Sequence, residues 1–150
     1  MQIRIVAIGP KHDPQLALKL SEFEKRLPYS VDWQLLAYSK AEGDTARRAE
    51  SAHILDKITE RDLVILLDET GSQLTSDALA DKVMAWQAGG RRLTFVIGGA
   101  YGVDKGLKDR ADFVWSLSQL VFPHQLVRLI LVEQLYRASA IASGHPYHHR

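Results

Sequence analysis

An α/β fold with a mainly parallel sheet and helices on both faces is what this sequence predicts, and three observations predict it. Short β-rich runs alternate with longer segments of helical periodicity from end to end. Two of the runs, DLVILLD at 62–68 and RLTFVIGG at 92–99, are almost continuously apolar, the mark of strands covered on both faces. The chain has 150 residues, of which 46% are hydrophobic, enough for one such domain with a substantial core.

Each element follows from its pattern. The first strand is QIRIVAI (2–8), with Ile3, Ile5 and Ala7 on one face and Val6 and Ile8 on the other. Residues 14–27 read as an amphipathic helix, with Leu16, Leu20, Phe23 and Leu27 at spacings of three and four. Pro28 breaks it, and VDWQLLAY (31–38) is the second strand. Asp44 is the expected N-cap of a helix running through Ile54, Leu55 and Ile58 to Thr59. The strand at 62–68 precedes a helix over 75–90 that stops at glycines, and after the strand at 92–99 the fifth is ADFVWSLS (111–118). A last helix runs from Pro123 to about residue 142. Its apolar side chains, among them Leu126, Leu129, Ile130, Leu131 and Leu135, surround the axis, which demands burial on all sides. A two-fold homodimer interface is favoured as its cover over a place inside the monomer.

Composition narrows the function. With no cysteine, disulfides, thiolate zinc sites and thiol catalysis are excluded. A formal net charge of +1 means that any nucleic-acid site must be a local patch. The N-terminus MQIRIVAIGP lacks the layout of a signal peptide, and no apolar run approaches a membrane span, so a soluble cytoplasmic protein is expected.

Parallel sheets of this kind bind ligands beyond the carboxyl ends of their strands. Three stretches fall there. FVIGGAYGVDKG places Gly98, Gly99 and Gly102 directly after a buried strand, but it matches neither a dinucleotide fingerprint nor a phosphate loop. In LLDETG, Asp68 and Glu69 read as exposed loop acids. SLSQLVFPHQLVR enters the last helix at Pro123, with His124 read as structural. The chain then ends in GHPYHHR, where histidines alternate with proline and tyrosine, unlike an appended run.

FVIGGAYGVD, SLSQLVFPHQLVRLILVEQLYRASAI and the terminal GHPYHHR resemble the SPOUT-class methyltransferases of the RlmH type, which methylate N3 of a pseudouridine in large-subunit ribosomal RNA. LLDETG and IRIVAIG also fit, so the likeness runs along the full length. It implies a C-terminal trefoil knot, a homodimer and S-adenosylmethionine as methyl donor. Topology rules alone disfavour a knot, so that expectation rests on the resemblance. By the same implication Leu67 packs the cofactor, Gly98 gives close backbone approach, and Leu117, Ser118, Gln119, Leu120, Val121 and Phe122 wrap it.

In the tail, Tyr147, His148 and His149 are the implied catalytic candidates. One of the histidines would take the imide proton near neutral pH, and Tyr147 would stack on or hydrogen-bond the base. Arg128, Arg137 and Arg150 are the RNA-binding candidates; for Arg128 and Arg137 a dimer-interface salt bridge is the equal alternative, with Glu133 four residues before Arg137. No metal is expected, no membrane, and ribosomal RNA in the assembled ribosome is the expected partner. Two other functions compete: a non-catalytic nucleotide-binding regulatory module at VIGGAYG, and a metal-dependent hydrolase built on His145, His148 and His149.

Overall fold

Alternation within the strands sorts the core into two layers. The structure, a computed structural model, describes residues 2–148. Its order is β1 (Gln2–Ile8), α1 (Pro14–Arg26), β2 (Ser30–Leu36), α2 (Gly43–Leu55), β3 (Asp62–Gln73), α3 (Ser76–Ala88), β4 (Arg92–Ile97), α4 (Lys105–Arg110), β5 (Phe113–Ser116) and α5 (His124–Ser143). The five strands form one sheet in the order β2-β1-β4-β3-β5, and every pair is parallel. Ile3, Ile5 and Ala7 face one side with Ile65 and Phe95, under Leu20 of α1, Leu79 of α3 and Leu131 and Leu135 of α5. Val6 and Ile8 face the other side with Leu66 and Val96, under Ile54 of α2 and Leu107 of α4.

Local chemistry sets the helix starts. The Asp13 carboxylate accepts from Gln15 N (2.8 Å) ahead of Pro14, Thr75 Oγ1 accepts from Ala78 N (3.1 Å), and Asp104 Oδ1 accepts from Leu107 N (2.9 Å). Asp44 is not the cap of α2: it lies in the first turn behind Glu42, pairs with Arg47 and Arg48, and the helix ends at Leu55 rather than Thr59. The short α4 has no apolar periodicity to read, because only Leu107 of its six residues is buried.

Two further expectations change. LLDETG is not a simple loop: β3 continues to Gln73, with its register against β5 broken between Leu67 and Ser72. The break folds the Asp68 carboxylate inward to 9% exposure, 3.7 Å from Lys108 and bonded to Thr70 N (3.1 Å), while Glu69 stays exposed. The last helix is packed inside its own chain, between α1 and α3, with Leu131, Val132, Leu135 and Ala138 buried. Its apolar circumference is therefore covered largely without a partner. Leu126 and Ile130 are half-buried and belong to neither apolar cluster.

Beneath the sheet's opposite end, Asp62 at the start of β3 is fully buried. Arg92 Nε (2.6 Å), Thr94 Oγ1 (2.7 Å) and Thr59 N (2.7 Å) all donate to it. Burial alone would raise its pKa, but these donors outweigh it and hold the carboxyl at about 2.

Candidate functional site

At the carboxyl ends of β3 and β4 the chain opens a cleft of about 710 Å³. Leu67, Asp68 and Glu69 come from β3, the turn 97–103 follows β4, and residues 117, 118 and 120–123 come from the loop after β5, with His124 and Val127 of α5 completing the wall. The volume suits a cofactor-sized ligand. Its walls are mostly apolar or glycine; Asp68 and Glu69 supply its acidic side chains, and among the described residues no Lys or Arg lines it.

Seven of the eight expected cofactor residues meet here: Leu67, Gly98, Leu117, Ser118, Leu120, Val121 and Phe122. Gln119 does not line the cleft; its side chain is exposed because the loop turns over it, Ser116 Oγ donating to Ser118 O (2.8 Å) and Leu120 N donating to Ser118 Oγ (3.0 Å). The glycine turn is closed by Gly102 N donating to Gly99 O (3.0 Å).

His124, read from sequence as structural, lines the cleft, and its Nε2 lies 2.9 Å from the Tyr38 hydroxyl. Burial lowers its pKa, as does the nearby charge of Arg128, against an opposing pull from Glu50. The imidazole is therefore neutral at physiological pH. Sequence gave no signal for Tyr38, which is 86 residues away from His124 in the chain.

Arg128 lies elsewhere than expected. It is fully buried, with no surface to offer RNA and, among the described residues, no carboxylate paired with it. Its guanidinium donates to the carbonyls of Lys11 (3.0 Å), Ile8 (3.0 Å) and Gly9 (3.2 Å) and touches His12 Nδ1 (3.1 Å), tying α5 to the β1–α1 loop. Gly9 makes this possible: its φ is +122°, and a Cβ there would sit 2.7 Å from Arg128 Nη2.

The tail is folded back along α5. Arg137 pairs with Glu133 (2.6 Å), which also accepts from the Tyr147 hydroxyl (3.0 Å). The Tyr147 ring lies against Arg137 and Tyr136, and His148 Nδ1 is 3.1 Å from Arg137 Nη1. The Glu133–Arg137 pair thus forms within one chain, while His149 and Arg150 lie outside the described residues. His124 and Arg137 are thirteen residues apart on one helix, so tail cluster and cleft are separated by about 20 Å. Among the described residues no group of three or more His, Asp or Glu is placed to hold a metal, and no helix is long and apolar enough to cross a membrane.

A strand-end cleft closed by the loop into a C-terminal helix, which Arg128 ties to the β1–α1 loop, fits a knotted α/β methyltransferase. A family model described as Predicted SPOUT methyltransferase matches residues 1–148, and the chain belongs to this family. It is similar, at 38% identity over 99% of both chains, to the Ribosomal RNA large subunit methyltransferase H of Methylobacillus flagellatus. Proteins of the same name from an Anaeromyxobacter species and from Acetivibrio thermocellus are 40% and 37% identical over the same share of each chain. In fold it resembles a solved probable methylase family protein from Haemophilus influenzae, with a TM-score of 0.57 at 15% identity, covering 99% of this chain and 70% of that one. Membership makes the chain a methyltransferase that works with a methyl-donor cofactor, and the regulatory-module reading gives way to it.

Proposed function

We propose that this chain transfers a methyl group from S-adenosylmethionine to N3 of a pseudouridine in large-subunit ribosomal RNA, acting in the cytoplasm on the assembled ribosome as a homodimer. The observation that carries the reading is the charge of the cleft. S-adenosylmethionine brings a sulfonium and an ammonium against one carboxylate, and this cleft offers the exposed Glu69, with Asp68 already paired to Lys108 at 3.7 Å, and apolar walls for an adenine. Leu67, Gly98 and the loop 117–122 would hold it.

Bound there, the cofactor supplies an electrophilic methyl on a sulfonium. The residues of the chain have the remaining work: excluding water, aligning the nitrogen in line with the methyl, and removing the imide proton. His148 or His149 of the tail would accept that proton and pass it to solvent. Arg137 and Arg150 would hold phosphate or the imidate charge, and Tyr147 would stack on the base.

Within one chain the tail stands about 20 Å from the cleft. A second copy supplies the missing half: its tail completes this cleft, and half-buried Leu126 and Ile130 with exposed Leu120 and Val121 give the two copies an apolar seam. The test is transfer of labelled methyl to ribosomes lacking the modification, with the intact chain and with one truncated after Gly144. Labelling by the intact chain alone supports the assignment; equal labelling by both removes the tail from the mechanism, and no labelling by either removes the reaction.

A further inference from the structure

Two tyrosine rings stand half-exposed beside the cleft, Tyr38 at 49% and Tyr101 at 46%. They come from different loops, after β2 and after β4, and one buried side chain bonds the first and lies close against the second. Glu50 of α2, 5% exposed, accepts from Ser39 N (3.0 Å) through Oε2, while its Oε1 lies 2.7 Å from where a Cβ on Gly99 would be. The absence of a side chain at Gly99 lets the two loops close on that carboxylate. Tyr38 is then pinned by its bond to His124, with the rings edge-to-face at 5.8 Å, and Tyr101 rides on the turn that Gly99 and Gly102 close.

Two aromatic faces at the mouth of a cleft, the Tyr38 ring held by His124, present flat apolar area. The charge beside them is Glu69 and Asp68, the latter paired with Lys108 at 3.7 Å, and no cation lines the cleft among the described residues, so the rim suits a neutral base face better than a phosphate. We propose that Tyr38 and Tyr101 form a stacking rim for unpaired nucleobases flanking the methylated one. The inference rests on the reading of ribosomal RNA as substrate and extends it: the RNA enters single-stranded, with bases splayed onto the rim.

The test uses the full chain with Tyr38→Ala, Tyr38→Phe, Tyr101→Ala and Tyr101→Phe. Each alanine variant is expected to raise KM for the ribosomal substrate by about 5- to 150-fold, the value of one lost base stack. Cofactor affinity is expected to change far less than KM, and the phenylalanine variants to keep most of the wild-type KM. A short single-stranded oligoribonucleotide carrying 2-aminopurine, quenched on binding to wild type and not to the alanine variants, reports the stacking without turnover. Alanine variants with wild-type KM and wild-type quenching overturn the rim. So does equal loss of cofactor affinity, which would make the tyrosines a cofactor lid, or dissociation into monomers in sedimentation, which would give the patch to a second copy. If wild type labels no ribosome the substrate reading fails instead, and the oligonucleotide quenching still decides the rim.

Discussion

Replacing Arg128 with methionine separates two accounts of the same residue. The guanidinium is completely buried and its donors go to the Ile8, Gly9 and Lys11 carbonyls and to His12. Methionine keeps most of the volume but leaves the buried Ile8 and Gly9 contacts unmade, at about 1–3 kcal/mol each. Removing a desolvated charge that no carboxylate among the described residues offsets recovers part of this, so a net loss of about 2–4 kcal/mol is expected. For a chain of this size that lowers Tm by about 4–16 °C, measured by calorimetry. The salt dependence of ribosome binding, measured in parallel, is expected to keep its slope. A Tm unchanged within about 2 °C, together with a slope reduced by about one, would refute the clamp and make Arg128 a phosphate contact.

Further outcomes follow from the same geometry. Gly99→Ala drives a methyl to 2.7 Å from Glu50 Oε1 and 3.1 Å from Ile8 Cγ2, and is expected to weaken cofactor binding by about 10-fold, read by calorimetry. Stability should fall on acidification in two stages, followed by urea unfolding across pH. His12 and His124 have lowered folded pKa values, so below about pH 6.5 the unfolded chain binds more protons and stability drops as pH falls. Asp62 has a depressed pKa, so its contribution is complete above about pH 4 and is lost as pH falls toward about 2; Asp62→Asn should shrink that second stage, leaving the part due to Asp112, whose pKa, despite partial burial, the Val64 N–H and Arg91 also lower. Mixing a cleft-blocked Gly98→Val chain with a chain truncated after Gly144, each inactive alone, should restore methyl transfer if tail and cleft come from different copies.

The sheet was legible because its signals are local. The apolar runs at 62–68 and 92–99 mark doubly covered strands, and alternation in 2–8 put Ile3 and Val6 on opposite faces, as found. The last helix was legible only in part: an apolar circumference says that a helix is covered, not what covers it, and α1, α3 and the sheet cover much of it while Leu126 and Ile130 stay half-buried. The cleft loops could be located from glycines after a buried strand, whereas Tyr38, Glu50 and His124 are joined only through contacts between distant segments. Arg128 could not be told from an RNA contact because a clamp on backbone carbonyls leaves no acidic partner in the sequence to find.

The most direct measurement is the position of the label. Ribosomes lacking the modification are incubated with the chain and methyl-labelled S-adenosylmethionine, the large-subunit RNA is digested, and its nucleosides are resolved by mass. Label in N3-methylpseudouridine, at about one per ribosome, is the expected result. Label confined to another nucleoside, or absent while the cofactor still binds the cleft, would contradict the account.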